Sequence, residues 1–269
     1  MQGCSRVPAL GFGTFRMQGE ECREAVRCAL ETGYRHIDTA QAYGNEAEVG
    51  AALEDVGLPR EQVFLTTKCH KDHLTAPEVA RWFDSSLRAL RTDHVDLLLI
   101  HWPSTKTPLG ETLDAMRALQ ATGKVKHIGV SNFPVALLRE AIETHKARLF
   151  TNQIEYHPLL VQPALTDYVF RHGMLLTGHS PLATGRLVDH PVLAAIGARY
   201  GKSATQVAIR WQLEQDKVIV LPKSQTPARI GENFDVFDFA LDEDDMAAIA
   251  ALPGNQRGVN PPWAPAWDE

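Results

Sequence analysis

Four residues suited to moving a proton close or follow short apolar runs in this chain: Asp38, Tyr43, Lys68 and His101. Asp38, Lys68 and His101 end three consecutive runs, and Tyr43 lies just beyond Asp38. If those runs are neighbouring parallel strands, the four side chains meet at one edge. An ammonium beside a phenol favours the phenolate and lowers the tyrosine pKa, while a carboxylate keeps the ammonium charged. Tyr43 is then expected to be a proton donor competent nearer neutral pH. His101 beside it can hydrogen-bond a substrate oxygen as negative charge develops there. This set suits reduction of a carbonyl, in which one group protonates the oxygen while hydride arrives from elsewhere. None of the four supplies hydride, so a cofactor must.

The elements that would position these residues alternate along the chain. Apolar runs at 9–13, 34–39, 63–68, 95–101, 126–132, 150–154, 175–180 and 218–222 read as strands. Several are nearly continuous hydrophobic, as Val95-Asp96-Leu97-Leu98-Leu99-Ile100 is, which suits strands of a parallel sheet covered on both faces. Helical patterns fill 20–31, 46–56, 76–90, 111–121, 134–145, 163–172, 205–214, 227–234 and 243–251. Thr75 is a suitable N-cap for the third, with Pro77 in its first turn and Glu78 placed for a capping box. Gly33, Gly57, Gly123 and Gly173 follow helix ends, where a left-handed cap favours glycine. Strands recur about every 31 residues, the length of one βα unit. Eight units predict a (β/α)8 barrel spanning 1–269 as a single domain, with an extra C-terminal helix and a tail. An open nucleotide-binding sheet is rejected, because Gly11-Phe12-Gly13 is followed by Arg16 where the fingerprint requires glycine.

Barrel enzymes assemble their sites at the C-terminal ends of strands. Those ends carry Asp38, Lys68, His101, Ser131-Asn132, Gln153, His179-Ser180 and Lys223-Ser224, which predicts one polar pocket. Composition narrows the partners. With 33 acidic against 27 basic residues, a net charge of −6 and no basic run, nucleic-acid and anionic-membrane binding are set aside. No apolar stretch is long enough to span a bilayer and no signal peptide is visible. The cysteines (Cys4, Cys22, Cys28, Cys69) form no CxxC pair, as expected of a reduced, cytoplasmic protein. The proline-rich stretch 253–269, with Trp263 and Trp267, leaves open whether it crosses a barrel mouth or decorates the surface.

The run Gly33-Tyr34-Arg35-His36-Ile37-Asp38-Thr39-Ala40, with Tyr43, Asn45-Glu46 and Val49-Gly50, resembles the aldo-keto reductase signature. So do Thr67-Lys68, His101-Trp102-Pro103, Gly129-Val130-Ser131-Asn132-Phe133, 152–158 and Pro222-Lys223-Ser224. The likeness covers essentially the whole chain. The short loops and the ending 263–268 are most similar to bacterial 2,5-diketo-D-gluconate reductases of the B type. The resemblance implies that Tyr43 is the proton donor, Lys68 and Asp38 its pKa-lowering pair and His101 the carbonyl-orienting residue. It implies that Ser131, Asn132 and Gln153 hold a nicotinamide carboxamide, with further cofactor contacts at Gly13, Thr14, Asp38, His179, Ser180 and Leu182. Lys223, Ser224 and Arg229 match a 2′-phosphate site, and Glu232 and Asn233 match adenine contacts. A 2′-phosphate suits a point charge, a forked guanidinium and a hydroxyl within reach, so NADPH/NADP+ is the expected cofactor. Phe15, Tyr43, His70, His101 and Trp102 are the expected substrate pocket.

Two positions depart from the family pattern. His179 stands where an aromatic ring usually stacks on the nicotinamide, and Cys69-His70 replaces a tryptophan that often follows the catalytic lysine. His70 and His73 lack a third ligand, so no metal is expected. Gly178-His179-Ser180-Pro181 lacks the closing glycine of a serine-hydrolase elbow. A Schiff-base lyase or aldolase needs a neutral lysine, which the Asp38 pairing opposes. A non-catalytic NADPH sensor or partner subunit is the remaining alternative. The expected substrate is a small carbonyl compound (a keto-sugar, a methylglyoxal-like dicarbonyl, a 2-keto ester or a simple aldehyde), and the expected state is a monomer.

Overall fold

The computed structural model describes residues 7–268; Cys4 and Glu269 lie outside them. Eight parallel strands follow one another in sequence order: β1 (Phe12–Gly13), β2 (His36–Asp38), β3 (Phe64–Cys69), β4 (Val95–Ile100), β5 (Val125–Ser131), β6 (Thr151–Glu155), β7 (Leu175–His179) and β8 (Val218–Leu221). The ring closes by backbone bonds between the first and last segments. Gly11 N donates to Val220 O at 2.8 Å, Val220 N to Ala9 O at 2.7 Å and Gly13 N to Pro222 O at 3.0 Å. This is the expected (β/α)8 barrel.

The outer ring holds α1 (Gly19–Thr32), α2 (Glu46–Val56), α3 (Ala76–Ala89), α4 (Leu109–Ala121), α5 (Val135–Arg139), α6 (Pro163–Arg171), α7 (Pro191–Tyr200), α8 (Ala204–Leu213), α9 (Pro227–Phe234) and α10 (Glu243–Ala250). The extra C-terminal helix is therefore present as α10. Four expectations are corrected. The connection from β7 to β8 carries two helices, and α7 has no counterpart in the sequence reading. The predicted helix 134–145 becomes α5 plus a π-helical turn over Glu140–Thr144. The first strand is shorter than 9–13, with Leu10 paired to Val220 only as an isolated bridge. The four helix-ending glycines all have positive φ, as expected. The Thr75 cap forms differently, because its hydroxyl donates to Glu78 Oε2 at 2.6 Å and the backbone N–H of Ala76 is taken by Glu111. No helix among the described residues is long and apolar enough to cross a membrane.

Alternation along each strand decides what the barrel contains. Odd positions of β4 to β8 and even positions of β2 and β3 point inward. Near the N-terminal end they include the buried Phe64, Leu97 and Leu99. Further along, hydrogen bonds cross the interior, from His36 Nε2 to Thr66 Oγ1 at 3.0 Å and between the Thr151 and Thr177 hydroxyls at 2.8 Å. At the C-terminal ends the same parity presents Asp38, Lys68, His101, Ser131, Gln153, Glu155, His179 and Lys223. The outward set packs with the helices in the large apolar core, for example Leu65, Leu98, Val130, Ile154 and Leu176.

Candidate active site

Lys68 is the centre of the pocket. It is fully buried on β3, and its ammonium donates to Asp38 Oδ1 at 2.5 Å, Thr39 O at 2.8 Å and the Tyr43 hydroxyl at 3.2 Å. Asp38 Oδ2 accepts from Gln153 Nε2 at 2.8 Å, which ties β2 to β6 across the barrel. Tyr43 comes from a short 3-10 turn after β2 (Gln41–Tyr43), anchored by the buried Asn45. The Asn45 amide donates to Thr14 O and Met17 O, and its oxygen accepts from Thr39 Oγ1. Among the described residues no protein acceptor takes the Tyr43 O–H. The His101 ring meets the Tyr43 ring edge-on at 5.4 Å, and Phe15 lies 5.0 Å from Tyr43 on the other side.

The electrostatics differ from expectation at one group. Burial depresses the Lys68 pKa, but Asp38 and Tyr43 more than offset it, so the net shift is upward and the ammonium stays charged. Burial raises the Tyr43 pKa by more than Lys68 lowers it, so the expected net lowering is not found. The phenol therefore carries its proton across the neutral range. The charged Lys68 would stabilise a phenolate formed at this position. Burial, with the charges of Lys68, His179 and His70, holds the His101 pKa well below its ordinary value. A neutral imidazole can donate one N–H and keeps the other nitrogen as an acceptor.

A second group of polar side chains adjoins the first. Ser131 Oγ donates to Gln153 O at 2.8 Å, and Asn132 Nδ2 donates to His101 O at 3.0 Å and Ser131 Oγ at 3.1 Å. His179 Nε2 lies 3.2 Å from Asn132 Oδ1, and its Nδ1 lies 3.1 Å from Ser180 Oγ. Burial pushes the His179 pKa down to about 4, so this ring is neutral too. Asn132 and Ser180 both have left-handed backbone, φ 62° and 52°, a conformation costly for serine and commonly kept at functional sites. Thr14 Oγ1 and N both donate to Asp38 O, and Gly13 closes the barrel beside it. Leu182 is half-buried against the core at the end of the β7 loop. Beyond β8, Lys223 is half-buried and Ser224 buried; Arg229 is exposed on the first turn of α9, with Glu232 and the buried Asn233 one turn on. Burial lowers the Lys223 pKa, and no carboxylate among the described residues pairs with it. Ser224 Oγ accepts the Thr226 N–H, and Glu232 accepts the Ser203 hydroxyl.

The remaining pocket residues are less tightly gathered. His70 is half-exposed, its backbone N–H donates to Gln41 Oε1, and its ring faces His73 at 5.3 Å. Trp102 meets Trp267 of the tail at 6.3 Å, so the tail crosses the C-terminal mouth. Sequence reading assigned no role to Glu46 or Glu155. Glu46 is raised in pKa by burial and accepts the Thr67 and Ser86 hydroxyls behind Lys68. Their signal was their place inside the signature stretches Asn45-Glu46 and 152–158, to which no role was attached.

The pattern of the aldo/keto reductase family matches residues 9–253. A glyoxal reductase of Bacillus subtilis is 41% identical over 257 residues, covering 95% of this chain and 92% of that protein. A 9,11-endoperoxide prostaglandin H2 reductase of Trypanosoma cruzi is 40% identical over 256 residues, covering 94% and 90%. Among solved structures, a protein provisionally assigned as a 2,5-diketo-D-gluconic acid reductase B superposes with a TM-score of 0.95 at 48% identity, covering 98% of this chain and 95% of that one.

Proposed function

This chain belongs to the aldo/keto reductase family, which reduces carbonyl groups, and on that premise we propose that it is an NADPH-dependent reductase of small carbonyl compounds with Tyr43 as its general acid. The observation that carries this reading is the Tyr43 hydroxyl itself. It receives a hydrogen bond from Lys68, has no protein acceptor among the described residues, and stands beside a neutral His101. A carbonyl oxygen placed between them accepts from both. As charge builds on that oxygen, the Tyr43 proton transfers, and the charged Lys68–Asp38 pair stabilises the phenolate left behind.

NADPH, when bound, supplies the hydride. The residues suit this group. Asn132, Gln153 and Ser131 present amide and hydroxyl groups near the proton donor, and Lys223 is a half-buried ammonium without a carboxylate partner among the described residues, aided by Arg229 and Ser224 for a 2′-phosphate. Lys68 held charged argues against Schiff-base chemistry. The exposed Phe15 ring and Trp102 frame a pocket for small substrates, and the named activities of the relatives favour dicarbonyls and keto-sugars, with 2-keto esters and simple aldehydes also in range. We place the protein as a single barrel acting as a monomer.

The test is NADPH oxidation followed at 340 nm with 2,5-diketo-D-gluconate, methylglyoxal, a 2-keto ester and an aromatic aldehyde. Tyr43→Phe should lower turnover about 10³-fold while NADPH still binds. Silence of the wild type with every carbonyl, despite tight NADPH binding, would favour a non-catalytic sensor; intact turnover in Tyr43→Phe would remove the assigned acid.

A further inference from the structure

Glu155 ends β6 on the inward parity, is 1% exposed, and has no part in the proton-transfer set. A buried carboxylate is costly unless its lone pairs are matched. Here three of its hydrogen bonds come from the tail about a hundred residues away. Gly258 N donates to Oε1 and Oε2, both at 2.9 Å, and Val259 N donates to Oε2 at 2.8 Å. The fourth comes from His157, whose Nε2 lies 3.0 Å from Oε1. Because His157 Nδ1 accepts the Leu159 N–H, the ring proton sits on Nε2 and points at Glu155. These donors hold the Glu155 pKa below its ordinary value against the upward push of burial. The other titratable groups facing this point are His179, paired with Glu155 across the β6–β7 register, and Arg186, which binds Gln256 O at 2.7 Å.

The fit on the tail side is close. A Cβ at Gly258 would stand 3.0 Å from Glu155 Oε1 and 3.3 Å from an Arg186 nitrogen, so a side chain there crowds the contact and its neighbours must give by a few tenths of an ångström. On either side of that point the tail is fastened across the mouth. Gln256 N binds Leu159 O, Trp267 meets Trp102, and Asp268 accepts the Val135 N–H at the start of α5. Trp102 directly follows His101, so where Trp267 sits decides the space beside the carbonyl-orienting histidine.

We infer that Glu155 is a positioning residue for the reduction: its carboxylate latches residues 258–259 at the rim of the barrel and thereby fixes the tail as the wall of the substrate pocket. The functional half of this rests on the proposed carbonyl reduction, but the latch has a readout of its own. The bond Arg257–Gly258 is a trypsin site located at the latch, and Arg257 is half-buried with its guanidinium 3.8 Å over the Trp267 ring. Opening the latch exposes that bond.

Two variants attack the contact from opposite sides. Glu155→Gln places an amide NH2 among N–H donors, and Gly258→Ala crowds the approach without touching the barrel. Both are expected to speed release of the peptide 258–269 by trypsin about tenfold, and to raise the substrate KM about fivefold or more while kcat and the NADPH Kd change less. Glu155→Asp, which keeps the charge, should restore part of the protection. Unchanged cleavage in both variants overturns the latch; faster cleavage with an unmoved KM overturns its role in the pocket. A wild type that reduces no carbonyl would be a failure of the proposed reaction, and the cleavage rates alone would then decide the latch.

Discussion

At the mouth of the barrel Lys68 and Asp38 meet at 2.5 Å with side chains 0% and 4% exposed; near the other end, Asp96 lies between Arg60 and Lys126 at 2.8 Å each, itself 7% exposed. Both carboxylates are buried and both are paired. They differ in what is left over. Asp96 Oδ2 accepts from Arg60 and from Leu65 N, Oδ1 accepts from Lys126, and Arg60 spends its other donors on Val63 O, His94 O and Thr92 Oγ1. That cluster joins strands to a turn and ends there. At the mouth the third donor of Lys68 goes to a phenol whose own proton has no protein acceptor among the described residues. A buried ion pair is structural when its hydrogen bonds close on themselves and becomes chemical when one is extended to a transferable proton.

Removing one cation from each pair tests this contrast most severely. Lys68→Met should lower kcat/KM with any accepted carbonyl by about 10³-fold, because the phenolate loses its counter-charge. Arg60→Met should lower the unfolding free energy by about 2 kcal/mol, a discounted value since Arg60 is partly exposed, while turnover per folded molecule stays within about twofold. Chemical denaturation and steady-state rates on both variants check it. Equal losses of activity would erase the distinction between the pairs.

The same two regions carry buried histidines, and these set the acid limit. Burial brings His36 and His179 down to about 4, so both are neutral when folded and titrate at ordinary values when unfolded. Between pH 6.5 and 4 the unfolded chain binds more protons, so stability falls as pH falls through that window. The lowered pKa of Asp96 acts later: its contribution is present above the unfolded carboxylate value and disappears only as pH drops through the folded one. Comparing denaturant melts at pH 7 and 4.5, His36→Gln should shrink the loss of stability by about 2 kcal/mol. Turnover should show no matching step near neutrality, because His101 is held neutral well below 6.5 and Tyr43 and Lys68 are both shifted upward.

How far all this could be read from the sequence depended on whether local pattern or distant contact decided the outcome. The strands were legible because runs such as Val95–Ile100 have little alternative but burial on both sides, and most polar residues at their ends were legible with them; Glu155 was not, because the sixth run was ended at 154. The helix α7 was missed because its run Pro191–Tyr200 is small and apolar, with Gly197 inside it. A Cβ there would stand 2.3 Å from Lys202 O, so the glycine serves tight packing rather than ending a helix. The direction of the Tyr43 shift was missed because spacing reveals the neighbouring ammonium and not the depth of burial that outweighs it. The course of the tail depends on Glu155, far away in sequence, and no local feature of 253–268 announces that contact.

On the cofactor side the expected effects are smaller, since several groups share each ligand moiety. Lys223→Ala should raise the KM for NADPH about tenfold and leave that for NADH nearly unchanged, as loss of a point charge toward a 2′-phosphate requires. Equal changes for both cofactors would place the phosphate elsewhere.

His179 offers the finest test, because its ring does two things that substitution can separate. It offers a flat face at the end of β7, and its Nε2 lies within hydrogen-bonding distance of Asn132 Oδ1, whose amide in turn donates to His101 O and Ser131 Oγ. A hydrogen bond of this kind contributes about 1 kcal/mol net. His179→Phe keeps a face and removes the bond, and should weaken NADPH binding about fivefold by fluorescence titration if orienting Asn132 is what matters. His179→Leu removes both, and a larger loss there than in His179→Phe would assign the difference to the ring face. Tighter binding in His179→Phe would show that stacking area dominates, and that the imidazole of this chain gives up affinity for the sake of the hydrogen bond to Asn132.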